Sequence, residues 1–103
     1  VILFGIYSNA NFNSYGKIFS NEKVYAATNS QLVENLAKLK FTEGLTLFNK
    51  KNYKDAILKF TESIKINPYY CYSYYFRGLA YKNIGEIKKF YKDFAKAREL
   101  GYK

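Results

Sequence analysis

The sequence predicts an all-α chain of tandem helix-turn-helix units, and three observations predict it. Apolar residues recur at spacings of three and four through "NYKDAILKFTESIKINP", with Ala56, Ile57, Phe60 and Ser63 or Ile64 on one helix face. Short breakers (Asn49-Lys50-Lys51-Asn52, Asn67-Pro68 and Asn83-Ile84-Gly85) interrupt otherwise helical stretches. A shift of 34 residues lays Gly44 on Gly78, Leu45 on Leu79, Lys54 on Lys88 and Phe60 on Phe94.

The elements follow in order. Residues 1–26 are rich in Asn, Ser, Tyr and Gly without a sustained period, and read as an N-terminal arm or the remnant of a signal segment. Val1 to Tyr7 is apolar, and Ser8-Asn9-Ala10 has the small-x-small form of a signal-peptidase site. Gly5 interrupts that run and no basic stretch precedes it, so an ordered strand or docking arm fits equally well. The cytoplasm is the default location; export or the cell envelope follows if residues 1–10 are a truncated signal. No stretch reaches the ~20 apolar residues of a membrane-spanning helix. Residues 27–36 form the leading helical turns: Thr28 is placed to cap them with Gln31 three residues on, and Leu32, Leu36 and Leu39 carry the helix toward Asn49.

Residues 37–70 and 71–103 are then the two repeat units. Gly44 and Gly78 lack a Cβ, which lets the second helix of each unit cross close to the first. Phe60 and Phe94 plug the space between paired helices. Pro68 has no N–H and disfavours helix at Asn67, so the first pair ends there and a new helix begins. Each unit covers an apolar face that its neighbour leaves open.

These residues resemble the tetratricopeptide repeat, whose period is 34 and whose pattern is W-x2-L-G-x2-Y, then A-x3-F, then P. The first copy reads Lys40-x2-Glu43-Gly44-x2-Leu47, Ala56-x3-Phe60 and Pro68; the second reads Tyr74-x2-Arg77-Gly78-x2-Tyr81, Phe90-x3-Phe94, with Tyr102 at the proline position. Lys40, Glu43 and Phe90 depart from the pattern, and Phe90 puts the closeness of the second crossing in question. The resemblance spans residues 37–103 and implies a short right-handed α-solenoid whose first helices line a concave groove for a peptide or partner helix. Carried over by position, the groove residues are Lys38, Phe41, Thr42, Leu45 and Asn49 from the first copy, with Tyr72, Tyr75, Phe76, Leu79, Lys82 and Asn83 from the second. The Lys and Asn positions of the family's carboxylate-clamping subtype hold Phe41, Leu45 and Phe76 here, which argues against capture of chaperone tails.

Composition narrows the function. The chain has 103 residues with 12 Tyr, 9 Phe, one Cys and no His. A lone Cys71 forms no intrachain disulfide, and without His or paired Cys no ordinary zinc site or His-based acid–base pair exists. The carboxylates Glu43, Asp55, Glu62, Glu86, Asp93 and Glu99 read as solvated helix faces, and Gly78 and Gly85 as helix-pair glycines rather than a phosphate loop. The expectation is a non-enzymatic protein-interaction module without cofactors, binding an apolar or aromatic segment. The partner's identity is not written in the sequence, and self-association through an uncapped repeat end is one possibility. The net charge of +9 falls entirely on residues 37–103 and raises an alternative, a basic nucleic-acid-binding module. Most lysines fall on the second helices and connections, whereas the aromatics fall mostly on the first, an arrangement that disfavours single-strand binding.

Overall fold

The computed structural model of the chain describes residues 16–103, with side-chain surroundings from Asn29 onward. The apolar start and the signal-like site expected within residues 1–15 lie outside the described residues. Internal contacts divide the chain into two units, Val1–Leu32 and Val33–Lys103. Four helices account for the described chain: α1 (Gly16–Asn49), α2 (Tyr53–Ile66), α3 (Cys71–Asn83) and α4 (Ile87–Glu99). Among the described residues there is no strand, and no helix is long and apolar enough to cross a membrane.

The helix expected to open near Thr28 in fact begins at Gly16, so residues 16–26 are helical rather than irregular. The reason is local. Between Gly16 and Gly44 the sequence has neither Gly nor Pro, and a capping side chain cannot end a helix whose preceding residues also tolerate one. The helix runs on to Asn49, as the spacing of Leu32, Leu36 and Leu39 predicts. Leu36 and Leu39 are exposed, and the residue of that stretch facing α2 is Ala37, which is fully enclosed.

In the second unit the helices form two successive hairpins: residues 37–49 of α1 with α2, then α3 with α4. The turns of both hairpins obey the 34-residue shift at the level of single bonds. Lys51 and Gly85 each take a left-handed backbone, with φ of 63° and 86°. The Asn52 N–H donates to the Leu47 carbonyl at 2.9 Å, and the Glu86 N–H donates to the Tyr81 carbonyl at 2.8 Å. Gly85 is therefore a turn glycine and not a helix-crossing one. The ends of the hairpins differ. Asn67 leaves α2 extended (φ −137°), as a residue before proline must, and its side-chain oxygen accepts the Tyr69 N–H. Gly101 leaves α4 through φ +105°.

The two crossings are both close but are made differently. A Cβ on Gly44 would lie 2.6 Å from the ring of Phe60, which is fully buried; one on Gly78 would lie 3.3 Å from the Phe90 carbonyl oxygen and the Asp93 Cβ. Phe90 thus does not force the second pair apart. Its ring packs beside Phe94 and Tyr91, with the Lys82 ammonium 5.4 Å from its centroid.

Between the hairpins lies a buried polar relay. The Ser63 hydroxyl donates to the Ala37 carbonyl (2.8 Å), which uses its single proton, so the Ser73 hydroxyl donates to Ser63 (2.6 Å). Three helices are joined by two hydroxyls, and no buried oxygen of the trio lacks a partner.

Glu43 and Arg77, which both stand at the leucine position of the repeat pattern, have a common purpose. Glu43 pairs with Lys59 at 3.2 Å, and Arg77 makes a two-pronged contact with Asp93 at 2.7 and 2.8 Å. The shift of 34 maps Glu43 onto Arg77 and Lys59 onto Asp93, so the same two positions carry the same bond with its polarity reversed. Hairpin one's pair is part of a looser quartet with Lys40 and Glu62, each contact 3.2–3.7 Å. No hydrogen-bond donor is well aimed at the enclosed Glu43 Oε1. Even so, the adjoining Lys59 ammonium holds the Glu43 carboxyl below the usual carboxylate range, and Glu43 raises Lys59 in turn. In hairpin two Asp93 is only 4% exposed, which corrects its reading as a solvated carboxylate. Burial works against the Arg77 charge, but its hydrogen bonds to Asp93 and the attraction of that carboxylate outweigh burial, and the Arg77 pKa rises. Arg77 also donates to the Thr61 hydroxyl of α2 and lies against the rings of Tyr74 and Tyr81, tying hairpin two to hairpin one.

Candidate peptide-binding face

The face expected to bind a partner belongs to the first helix of each hairpin, α1 and α3. Their side chains reach one another through aromatic rings. Phe41 lies 5.6 Å from Phe76 and 6.4 Å from Tyr72, and Tyr75 is 5.3 Å from Phe76. Four of the sequence-predicted residues, Phe41, Tyr72, Tyr75 and Phe76, are thereby joined in one array. The edge-to-face geometry of several of these pairs is the one aromatic quadrupoles favour.

The array is not equally available along its length. Phe41 and Phe76 also contact the buried Phe60, and Phe76 contacts Phe48. These two rings weld the hairpins together, and their half-buried state follows from that role. Tyr72 is 47% exposed and offers the most surface. Leu45 and Leu79 are half-buried on the same helices.

The polar members are disposed differently. Lys38 is exposed and pairs with Glu34 at 3.5 Å. The Thr42 hydroxyl donates to the Lys38 carbonyl, and the Asn83 amide donates to the Leu79 carbonyl, each four residues back along its own helix. Asn49 is exposed at the end of α1. Lys82 stands over Phe90 and so engages α4.

Two rings that sequence reasoning did not assign to the face belong to its array. Tyr70 packs edge-on to Phe41 at 5.4 Å and lies 5.5 Å from Tyr72. Tyr102 folds back from the end of α4, stacks on Tyr75 at 4.0 Å and meets Tyr72 edge-on at 5.6 Å. Burial raises the pKa of both hydroxyls, and for Tyr102 the neighbouring Tyr75 adds to the rise. Position in the repeat gives no hint of Tyr102, because its counterpart is Pro68, which lacks a ring to stack. Its only sequence signal is Gly101, whose left-handed turn reverses the chain toward α3.

What this arrangement can do chemically is hold an apolar or aromatic group: flat rings supply area at little entropic cost, and the hydroxyls of Tyr72 and Tyr75 supply polar edges. The described carboxylates are committed to neighbours. Glu34, Glu43, Glu62, Glu86, Asp93 and Glu99 stand in ion pairs, and Asp55 accepts from the Asn52 amide. Among the described residues no group of three His, Cys, Asp or Glu is placed to hold a metal ion.

No family model matches the chain, and no solved structure matches it significantly. Two curated proteins do. Over 61 residues, 59% of this chain, it is 41% identical to sperm-associated antigen 1 of Rattus norvegicus, and over 58 residues it is 40% identical to sperm-associated antigen 1 of Mus musculus. The matched stretch takes in 7% and 6% of the length of those relatives. The chain is thus an all-α helical-repeat protein similar, over a short stretch, to a protein that contains tetratricopeptide repeats.

Proposed function

We propose that this chain is a non-enzymatic protein-interaction module of the tetratricopeptide type, which takes an apolar or aromatic segment of a partner protein on the α1–α3 face. The observation that carries the reading is the continuous ring array from Phe41 through Phe76 to Tyr75, with Tyr72 beside Phe41 and 47% exposed. The likeness to a repeat-containing relative supports the same class of function. Commitment of the carboxylates to structural pairs, together with the absence of His from the sequence, supports the non-enzymatic part.

The test is a bait experiment with the intact chain. Tyr72→Ala combined with Leu79→Ala removes surface from the face without touching the rings against Phe60. Partner recovery falls at least about tenfold if one central aromatic anchor is lost, while the helical circular dichroism and melting midpoint stay close to wild type. Undiminished recovery rejects this face.

A second reading, nucleic-acid binding, draws support from one observation. Tyr91 is 64% exposed on α4, with Lys88 and Lys92 exposed beside it on the same helix. Aromatic and cation do coincide there, against the separation expected from sequence. A single exposed ring is less than the succession of stacking platforms that a single strand needs, and the protein-partner reading remains the stronger. Affinity for a single-stranded oligonucleotide dropping by orders of magnitude between low and moderate salt would reverse that ranking.

A further inference from the structure

Both hairpins turn at the same end of the second unit. α1 and α3 run parallel, since Phe41 meets Tyr72 and Phe48 meets Phe76, so the turns that follow them share one edge. Hairpin one brings Lys50, Lys51 and Lys54 to this edge; hairpin two brings Ile84, Ile87 and Lys88. All six are exposed. Stacking does not cover such an edge. Hairpin one has hairpin two packed against it, and its turn residues 49–52 are exposed all the same.

The charge of the edge is one-sided. Among the described residues, the ammonium groups of Lys50, Lys51, Lys54 and Lys88 have no ion-pair or hydrogen-bond partner. The neighbouring carboxylates are engaged: Glu86 pairs with Lys89 at 3.7 Å, and Asp55 accepts from the Asn52 amide at 2.9 Å. What remains is a positive field that attracts anions. One of these lysines is held against local preference. Lys51 takes a left-handed backbone with φ of 63°, where the equivalent position of hairpin two holds Gly85. Strain of this kind clusters at functional positions.

The apolar members of the edge decide which anion fits. Ile84 is 37% exposed in the turn, and Ile87 is 44% exposed at the start of α4 beside Lys88. A branched aliphatic side chain has no ring face on which a base could stack, but it enters the headgroup–acyl boundary of a bilayer readily. Such a shallow wedge is a weak anchor alone; a basic cluster facing anionic headgroups supplies the second signal.

We propose that this edge is a peripheral membrane-binding surface for anionic lipid. Ile84 and Ile87 enter the interface, and Lys50, Lys51, Lys54 and Lys88 lie against the headgroups. None of the six residues belongs to the α1–α3 face, so lipid adsorption and capture of a protein segment stand or fall independently.

The intact chain is sedimented with vesicles of phosphatidylcholine alone and of an equal mixture of phosphatidylcholine and phosphatidylserine. It is expected to pellet with the mixed vesicles and not with the neutral ones, and to be released as salt rises. Each lysine near the surface is worth about fivefold in affinity, so Lys50→Gln, Lys54→Gln and Lys88→Gln together should weaken binding about a hundredfold. Lys51→Gly separates binding from folding: affinity falls about fivefold, while the melting midpoint holds or rises. Ile84→Ser with Ile87→Ser should lower affinity at least about tenfold and leave the salt dependence in place. Equal pelleting with both vesicle types, pelleting with neither, or wild-type binding by the lysine or the isoleucine variant overturns the proposal. So does tighter binding to a single-stranded oligonucleotide or to polyglutamate than to mixed vesicles, lost with the same lysines. That result would assign the edge to nucleic acid or to an acidic protein segment.

Discussion

The two hairpins use one backbone plan and close it by different means. Hairpin one is sealed by a ring: Phe60 is wholly enclosed and presses on Gly44. Hairpin two is sealed by an ion pair: Asp93 and Arg77 meet beside Gly78, while Phe94 remains half-buried at the edge of a cavity. Where the aromatic plug is complete, the charged pair is loose and partly exposed; where the plug is open, the pair is bidentate and largely buried. The difference teaches that a repeat position specifies a geometry, and that apolar packing and charge-assisted hydrogen bonding are alternative ways of satisfying it.

The sharpest way to break that comparison is to truncate the two equivalent rings. Phe60→Ala should cost about 3–5 kcal/mol because it empties a fully packed site, whereas Phe94→Ala should cost about 1–2 kcal/mol, the worth of a partly exposed ring. Urea denaturation of both variants measures the gap, and equal losses would dissolve the distinction between the hairpins. Next in size is the ion pair. Asp93→Ala leaves a buried guanidinium without its partner and should cost about 3 kcal/mol, while Lys59→Ala at the equivalent place of hairpin one should cost much less, because its pair is partly exposed and Lys40 still faces Glu43.

The glycines come third. Gly44→Ala forces a Cβ onto the trapped Phe60 ring; overpacking of that kind costs about 1–3 kcal/mol, and helix propensity returns only about 1 kcal/mol of it. At Gly78 the nearest neighbours lie at 3.3 Å rather than 2.6 Å and need to give by only a few tenths of an ångström, so with the helix-propensity gain Gly78→Ala should be close to neutral. The turns follow. Lys51 holds a left-handed backbone that disfavours a side chain by about 1–2 kcal/mol, so Lys51→Gly should be mildly stabilising, and Gly85→Ala should be destabilising by about 1 kcal/mol. A shift of both midpoints in the same direction would show that the two turns are not equivalent.

The smallest effect is in the pH dependence of hairpin one. The folded pKa of Glu43 lies below its ordinary value of 4.5, so its contribution is fully present above that value and fades as the pH falls through the lowered one. Lys59 behaves in the opposite sense. Its pKa is raised above 10.5, so its contribution is present below that pH and lost as the pH climbs through the raised value. Glu43→Gln should flatten both limbs of a plot of melting midpoint against pH.

Much of this fold was legible in the chain. The 34-residue shift located the glycines and the Phe60–Phe94 correspondence, and the breakers located each turn, because Gly, Pro and Asn act on the backbone locally. Other features were not legible, for identifiable reasons. Thr28 has the chemistry of a cap, but a cap signals where a helix could start, not that it does. Leu36 and Leu39 show helical spacing, yet spacing alone does not say which face of α1 meets α2; Ala37 does, since its smallness lets the helices approach. The ion pairs escaped because a search for similar residues passes over Glu43 and Arg77, which are opposites. They become equivalent only when each is considered together with Lys59 or Asp93. Of the candidate face, the aromatic members found one another, while the stacked Tyr102 depended on a chain reversal that no periodicity announces.

The opposed polarity of those two ion pairs has a bearing on how the chain avoids error while it folds. Hairpins of matching length and matching turns invite their strands of helix to trade places, α1 closing on α4 or α3 on α2. Such an exchange would press Glu43 against Asp93, or Arg77 against Lys59, and like charges brought face to face would expel the intruder. The molecule carries a lock whose two keys are mirror images, so that near-duplicate halves still recognise their own.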